Sequence, residues 1–295
     1  ETTFLGRRIP LADRTRCGGE EGRSDREEER KKMSAVRDTF IITRRQLLLL
    51  TRVPEVLIFS TIQPVMFVLL LRFVFGGSIN TGQPGGYVQL LMPGIFVQTV
   101  AFTLAGTASG LAEDMKKGLI DRFRSLPISQ SALVVGRTLG DSLLNIVVLT
   151  VMGITGYLVG WRPSGGLGNV ALGFLFLLLF GYALSWVGVL VGLSAKDARV
   201  VQNVSFIVTF PLTFLSNAFA PTTGMPRALQ YFAEWNPVST MVAACRELFG
   251  LENQFGATAG SFPSEHPLTT SLIYMVIIMA IFIPLSVRKY RNYAD

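Results

Sequence analysis

Residues 113–129 read EDMKKGLIDRFRSLPIS, a short charged stretch set between two long apolar runs. Leu119, Ile120, Phe123 and Leu126 fall at i, i+1, i+4 and i+7, which is one face of a helix. Lys116, Lys117, Arg122 and Arg124 surround that face, and Pro127 stops it. A bare connection between two buried segments needs only a few polar residues. An amphipathic helix here predicts a docking face. The runs on either side are about 20 residues or longer, enough to cross a bilayer. The stretch is therefore a loop helix of a polytopic membrane protein.

Composition agrees. The chain is 49% apolar and only 16% charged, against about 25% charged in an average soluble protein. The net charge of +7 does not mark a nucleic-acid surface, because 13 of the 27 Lys and Arg lie before residue 53, among many acids. The others gather mainly in segments flanking the apolar runs, so the balance reports topology. Cys17 and Cys245 are far apart and fall on opposite sides of the expected membrane. With one His in the chain, neither a disulfide framework nor a structural metal site is expected.

Outward from the charged stretch, the apolar runs predict six spans. They cover about 56–75 (with Pro64 as a kink and Arg72 near the exit), 88–112, 132–160 (with Asp141), 168–194, 200–219 (with Pro211) and 268–287. Residues 76–86 contain Gly, Asn, Gln and Pro without Lys or Arg, which marks an external loop. The tight turn AKDAR at 195–199 and the terminal RKYR at 288–291 belong to the opposite side. Of the 27 basic residues, 23 fall on the side of the charged stretch, and only Arg162, Arg227 and Arg246 fall outside. That asymmetry places both termini in the cytoplasm of a cell membrane.

Two further segments stand out. Residues 1–32 are polar, rich in both charges and lack a start Met, whereas Met33 opens a more ordinary beginning. Composition predicts disorder there, in an extension that is non-native or has no working role. No apolar stretch follows its basic residues to make a secretory signal. In residues 33–55, Phe40, Ile41, Leu47, Leu48 and Leu50 alternate with Arg37, Arg44, Arg45 and Arg52. An amphipathic helix lying in the membrane interface fits, and so does a plain positive flank for the first span.

Between the fifth and sixth spans, residues 222–250 resist a simple loop reading. Met225, Leu229, Phe232 and Trp235 share a helical face, Pro226 suits a first turn, and Asn236-Pro237 forces a break. Residues 238–250 then form a second short helix holding Arg246 and Glu247. Each piece is too short to cross. Two re-entrant half-helices satisfy their own backbone in the outer leaflet, and an ordinary external hairpin is the alternative.

Chemistry of its own is sparse. The dipeptide Gly-Lys does not occur, so no phosphate-cradling GxxxxGK motif exists and no ATP site is expected in this chain. One His excludes a convincing Ser/His/Asp set. Asp141 is the only acid within a span, which disfavours ion-coupled transport. Gly106/Gly110, Gly156/Gly160 and Gly188/Gly192 are spaced for close helix contact, within one subunit or between two. Phe96, Phe102, Phe206, Phe210 and Phe214 are candidates to line an apolar path.

The blocks QPVMFVLLLRFVFGG (63–77), LLMPGIFVQTV (90–100), GLAEDMKKGLIDRFRSLPISQSALVVGR (110–137) and NAFAPTTGMPRALQYFAEWNPVSTMVAACREL (217–248) resemble the membrane subunit of ABC type-2 exporters. Within that family they are most similar to the daunorubicin and doxorubicin resistance permeases, bacterial multidrug exporters. The resemblance runs from about residue 33 to the end. It implies an all-α six-span fold with an N-terminal interfacial helix, a cytoplasmic coupling helix and two re-entrant external helices. The coupling helix would cover about 116–126, with Glu113 and Asp114 leading in and Lys116, Lys117, Asp121, Arg122, Phe123 and Arg124 upon it. The external helices would be those carrying Met225, Leu229, Phe232, Trp235, Asn236, Pro237, Arg246 and Glu247. The resemblance also implies a permease that is not itself an enzyme, paired with a second copy or paralogue, with ATP and Mg on a separate ATP-binding subunit. Its cargo would be an amphipathic drug, antibiotic or lipid-like compound. An exporter of a cell-envelope glycan or lipid is the nearest alternative. A carrier of sugars favours Trp and Tyr, and Trp161, Trp186 and Trp235 are the only three Trp in the chain. A non-transporting membrane module driven by an ATPase is the alternative from another class, but no long external domain suits it.

Overall fold

A computed structural model describes residues 43, 54–75, 86–118, 130–194, 197–219, 222–251 and 261–294. Among these residues every regular element is helical. In chain order they are α1 (Pro54–Phe75), α2 (Tyr87–Ala101), α3 (Thr103–Lys116), α4 (Gln130–Val159), α5 (Gly166–Gly192), α6 (Ala198–Phe214), a short 3-10 helix (Thr222–Gly224), α7 (Arg227–Glu234), α8 (Pro237–Leu248), α9 (Phe262–Glu265) and α10 (Pro267–Ala294). The expected interfacial helix at 33–55, apart from Thr43 and the start of α1, lies outside the described residues. So do the arm at 1–32, the loop at 76–85, and Asp121, Arg122, Phe123 and Arg124 of the coupling segment.

Among the described residues, four stretches are long and apolar enough to cross a membrane: Tyr87–Lys116, Val134–Val159, Gly166–Gly192 and Pro267–Tyr290. The first is α2 and α3 end to end, joined by one tightened turn at Phe102, where the Ala105 N–H donates to the Phe102 carbonyl at 3.1 Å. In α1 the apolar part is shorter, Ser60–Val74, and Pro64 sits inside the helix without ending it. Helix α6 has 17 residues, about 25 Å at 1.5 Å per residue. It stops at Phe214, earlier than the apolar run to residue 219 suggests. Pro211 lies in its last turn, where the Leu215 N–H donates to the Pro211 carbonyl at 2.8 Å. Residues 215–219 then leave the helix, and their carbonyls become free to bond elsewhere.

Termini of the helices follow local chemistry. Asp197 caps α6 by accepting from the Arg199 N–H at 2.9 Å. Asn236 caps α8 by accepting from the Val238 N–H at 2.9 Å, with Pro237 in the first turn, where a missing N–H costs nothing. Gly118 closes α3 in the left-handed region, φ 64°, and its N–H donates to the Met115 carbonyl at 3.0 Å. The charges Glu113, Asp114 and Lys116 are thus the last turn of a long helix, and Lys117 follows it as the cap.

The core gathers around α2, in which every residue from Tyr87 to Gln98 is buried. Helix α8 is only 12 residues long, yet Val238 to Arg246 are all buried, packed against α2, α5 and α10. Apolar side chains point outward from the other long helices, as with Ile58, Met66 and Phe73 on α1 and Leu158 on α4. A surface of that kind suits lipid.

Glycines set the closest approaches. A Cβ on Gly188 would lie 2.6 Å from the Leu104 carbonyl oxygen, and one on Gly192 would lie 2.7 Å from that of Ala108. This GxxxG pair therefore brings α5 against α3 within one chain, by the small-residue logic of membrane helices. Gly156 faces Met92 and Trp161, and Gly110 faces Arg137, also within the chain. Gly106 faces open space.

Candidate functional site

Three features could do work, and they lie at different heights along the bundle. The first is at the charged end. Lys117 and Glu113 form an exposed i,i+4 pair at 3.5 Å, the kind worth a few tenths of a kcal/mol. Asp114 behaves differently. Its carboxylate meets Arg137 of α4 in an ion pair, across the gap that residues 119–129 span in sequence. Deeper along the same two helices, the Thr107 hydroxyl donates to Asp141 Oδ2 at 2.6 Å and the Thr103 hydroxyl donates to Asn145 Oδ1 at 3.0 Å. Thr107 and Asn145 are buried.

The second feature is a groove of about 180 Å³ between α1, α2 and α6. Ser60, Gln63, Pro64 and Phe67 form one wall, Gln98, Thr99 and Phe102 the floor, and Phe206, Phe210 and Phe214 the other wall. The last three recur at i, i+4 and i+8, one stripe of α6. Their rings run in file, with centroids 5.5 Å apart from Phe206 to Phe210 and 4.2 Å from Phe210 to Phe214. Phe102 joins at 5.6 Å from Phe206. Helix α6 is amphipathic the reverse way round, because Ser205, Thr209 and Thr213 are its buried face and its aromatics are outside. No lining residue carries a charge.

Phe96 does not join this stripe. It is wholly buried and packs edge-on against Trp161, Phe174 and Phe249, at 5.3, 5.4 and 6.2 Å. Six residues separate it from Phe102, and at about 100° per residue they face different directions. Phe96 is a core residue at the far end of the bundle.

The third feature is Arg246. The sequence counts it with the external charges, whereas its side chain is fully buried in α8. Its Nη2 donates to the carbonyls of Asn217 at 2.9 Å, Leu90 at 3.1 Å and Ala218 at 3.3 Å. One guanidinium thus fastens α2, the chain leaving α6, and α8. The Asn236 amide donates to the Leu212 carbonyl at 2.6 Å and adds a second tie to α6. Glu247 faces solvent beside it. On α7 the face of Leu229, Phe232 and Trp235 points outward and is at least a third exposed, while Met225 before it is half-buried. The Trp235 carbonyl accepts from the Tyr274 hydroxyl at 3.0 Å, which holds α7 to α10.

Residues missed at the sequence level are Gln63, Gln98, Thr99, Arg137 and Asn145. A signal existed for two of them. Arg137 and Asn145 stand at i and i+8 around Asp141, on one face of a helix that is otherwise apolar.

Residues 37–249 match the ABC-2 type transporter family. The chain is 34% identical over 259 residues to the daunorubicin resistance ABC transporter permease protein DrrB1 of Streptomyces coeruleorubidus, covering 88% of each chain. It is 24% identical over 207 residues to the doxorubicin resistance ABC transporter permease protein DrrB of Mycobacterium tuberculosis, covering 70% of this chain and 71% of that one.

Proposed function

We infer how this protein works from its kinship: the chain belongs to the ABC-2 type transporter family, as the membrane permease subunit of an exporter whose ATPase is a separate subunit. Its cargo is an amphipathic drug, antibiotic or lipid-like compound. The observation that carries this reading is the uncharged groove between α1, α2 and α6, aromatic on one wall and lined by Gln63, Gln98, Ser60 and Thr99 elsewhere. Flat apolar rings stack on such a wall, and a few amides and hydroxyls orient their polar edges. The lining holds Phe but neither Trp nor Tyr, which favours this cargo over a glycan.

The groove's size argues for a partner. Pockets that enclose a drug-sized ligand measure about 300–1,000 Å³, more than the 180 Å³ found here. A second copy or paralogue, laid against the open side, would complete the site. In that assembly α1, the joined α2–α3, α4, α5, α6 and α10 make six spans with both termini in the cytoplasm. Helices α7 and α8 enter the outer leaflet and return. The coupling helix starts later than residue 116, since Gly118 closes α3; it carries Asp121, Arg122, Phe123 and Arg124 and rests on the ATP-binding subunit, which holds ATP and Mg. Closure of the ATPase pair moves the coupling helices and turns the groove outward, an alternation between two states.

The test is reconstitution with the partner ATPase in vesicles, using daunorubicin as the probe. The double variant Phe206→Ala/Phe210→Ala is expected to raise the half-stimulating daunorubicin concentration tenfold or more, since each ring contributes about 1.5–3 kcal/mol of apolar burial. Arg124→Glu is expected to abolish stimulation while the permease remains in the membrane. If both variants are stimulated as wild type is, neither the groove nor the docking face is where we place it.

A further inference from the structure

The polar contacts between α3 and α4 are more than packing. Apolar helices in lipid associate without them, and each polar group placed there must find a partner. Here three pairs are stacked at successive heights: Asp114 with Arg137, Thr107 with Asp141, and Thr103 with Asn145. On α4 the members recur at i, i+4 and i+8, so they form one stripe. Gly110 leaves room for the first pair, because a Cβ there would lie 3.0 Å from Arg137 Cζ. Gly181 of α5 closes over the last, where a Cβ would lie 3.0 Å from Asn145 Nδ2. The seam begins at the charged end and runs inward to Phe102, on the floor of the groove.

We propose that Arg137 is a positioning residue of the transport cycle. Its pairing with Asp114 clamps α3 to α4, and the seam carries displacement from the charged end to the groove floor. The clamp joins the two helices that flank residues 119–129, so a push on that segment moves both as one body. Without it only the two deeper hydroxyl contacts join α3 to α4, the charged ends are untied, and displacement is lost before it reaches Phe102. This inference rests on the exporter reading, because it needs an ATPase to push.

The experiment uses the reconstituted complex of permease and ATPase, with daunorubicin as probe. Arg137→Gln is expected to keep assembly, thermal midpoint and basal ATP hydrolysis, while daunorubicin-stimulated turnover and uptake fall about tenfold. Swapping the pair, Asp114→Arg with Arg137→Asp, is expected to restore a large part of the stimulation. Gly110→Ala offers a second route, since its methyl displaces the guanidinium without removing either charge, and it is expected to act as Arg137→Gln does. Should Arg137→Gln not fold, Gly110→Ala decides. Undiminished stimulation in the variant that folds overturns the inference, and so does a parallel loss of assembly, thermal midpoint and basal turnover, which marks a merely structural contact. A wild-type complex without stimulated uptake would instead sink the exporter reading.

Discussion

Replacing Arg246 with methionine is expected to destabilise the permease by about 3–5 kcal/mol, the scale for removing one partner of a buried charged contact. The side chain is fully buried, and its guanidinium serves the carbonyls of Leu90, Asn217 and Ala218. Asn217 and Ala218 lie in the turn after α6, outside any helix, so their carbonyls lack a helical donor. Each acceptor left unpaired costs about 1–3 kcal/mol. Methionine is the informative choice because it fills nearly the same space without a donor. A buried ion pair can be exchanged for apolar groups at little cost when both partners go, but carbonyls cannot be removed by substitution. Lysine keeps the charge yet offers a point of donors in place of a planar fork, and an intermediate loss is expected. The readout is the thermal midpoint in detergent, where about 3 kcal/mol amounts to a fall of roughly 6–12 °C for a domain of this size. A methionine variant that melts with wild type would mean that the three carbonyls have other donors, and that Arg246 does not hold the external end together.

The same residue marks the limit of what could be read without coordinates. The long spans were legible because length and hydropathy are local, and α4, α5 and α10 lie close to the expected ranges. The break at Asn236-Pro237 was legible as well, since the cap and the proline act within a turn. The depth of α8 was not. PVSTMVAACREL, with both an arginine and a glutamate, reads as a half-helix in the outer leaflet or as one arm of an external hairpin, not as part of the core. Its burial comes from α2, α5 and α10 closing around it, and Arg246 reaches Leu90 across 156 residues of sequence. No window along the chain contains that contact.

The candidate groove divides in the same way. Phe206, Phe210 and Phe214 form a stripe that spacing alone reveals, whereas Gln63 and Gln98 reach it from other helices. Phe96 illustrates the converse, because aromatic character does not say which side of a helix meets a groove and which meets the core. Charge was the better guide at the other end. Asp114 was singled out by its place beside the apolar run, but its partner Arg137 lies 23 residues on, across a segment whose path sequence does not fix.

Substituting Gly94 is expected to be strongly damaging, and the reason is the same crossing point. In α2 a Cβ at this position would lie 2.9 Å from the carbonyl carbon of Ala218 and 3.1 Å from its Cα, with the carbonyl oxygen nearer still. These are backbone atoms and cannot swing aside as a side-chain end does. Alanine must therefore push α2 from the chain leaving α6, and overpacking of this kind costs about 1–3 kcal/mol. Valine is expected to prevent accumulation of folded protein. Gly106 supplies the contrast, since nothing lies within 4 Å of a Cβ there. Gly106→Ala is expected to be neutral or to stabilise by up to about 1 kcal/mol, through helix propensity. The pair of results separates close contact from a general intolerance of side chains at helical glycines. Ala218 also accepts from Arg246 at 3.3 Å, so the two positions share a partner and their effects should not add. Gly94→Ala combined with Arg246→Lys is expected to cost less than the sum of the two, because the first already displaces the carbonyl that the second fails to reach. Strict additivity in thermal midpoint would mean that α2 yields to the methyl without moving Ala218, and the tie among α2, α6 and α8 would then be looser than the geometry implies.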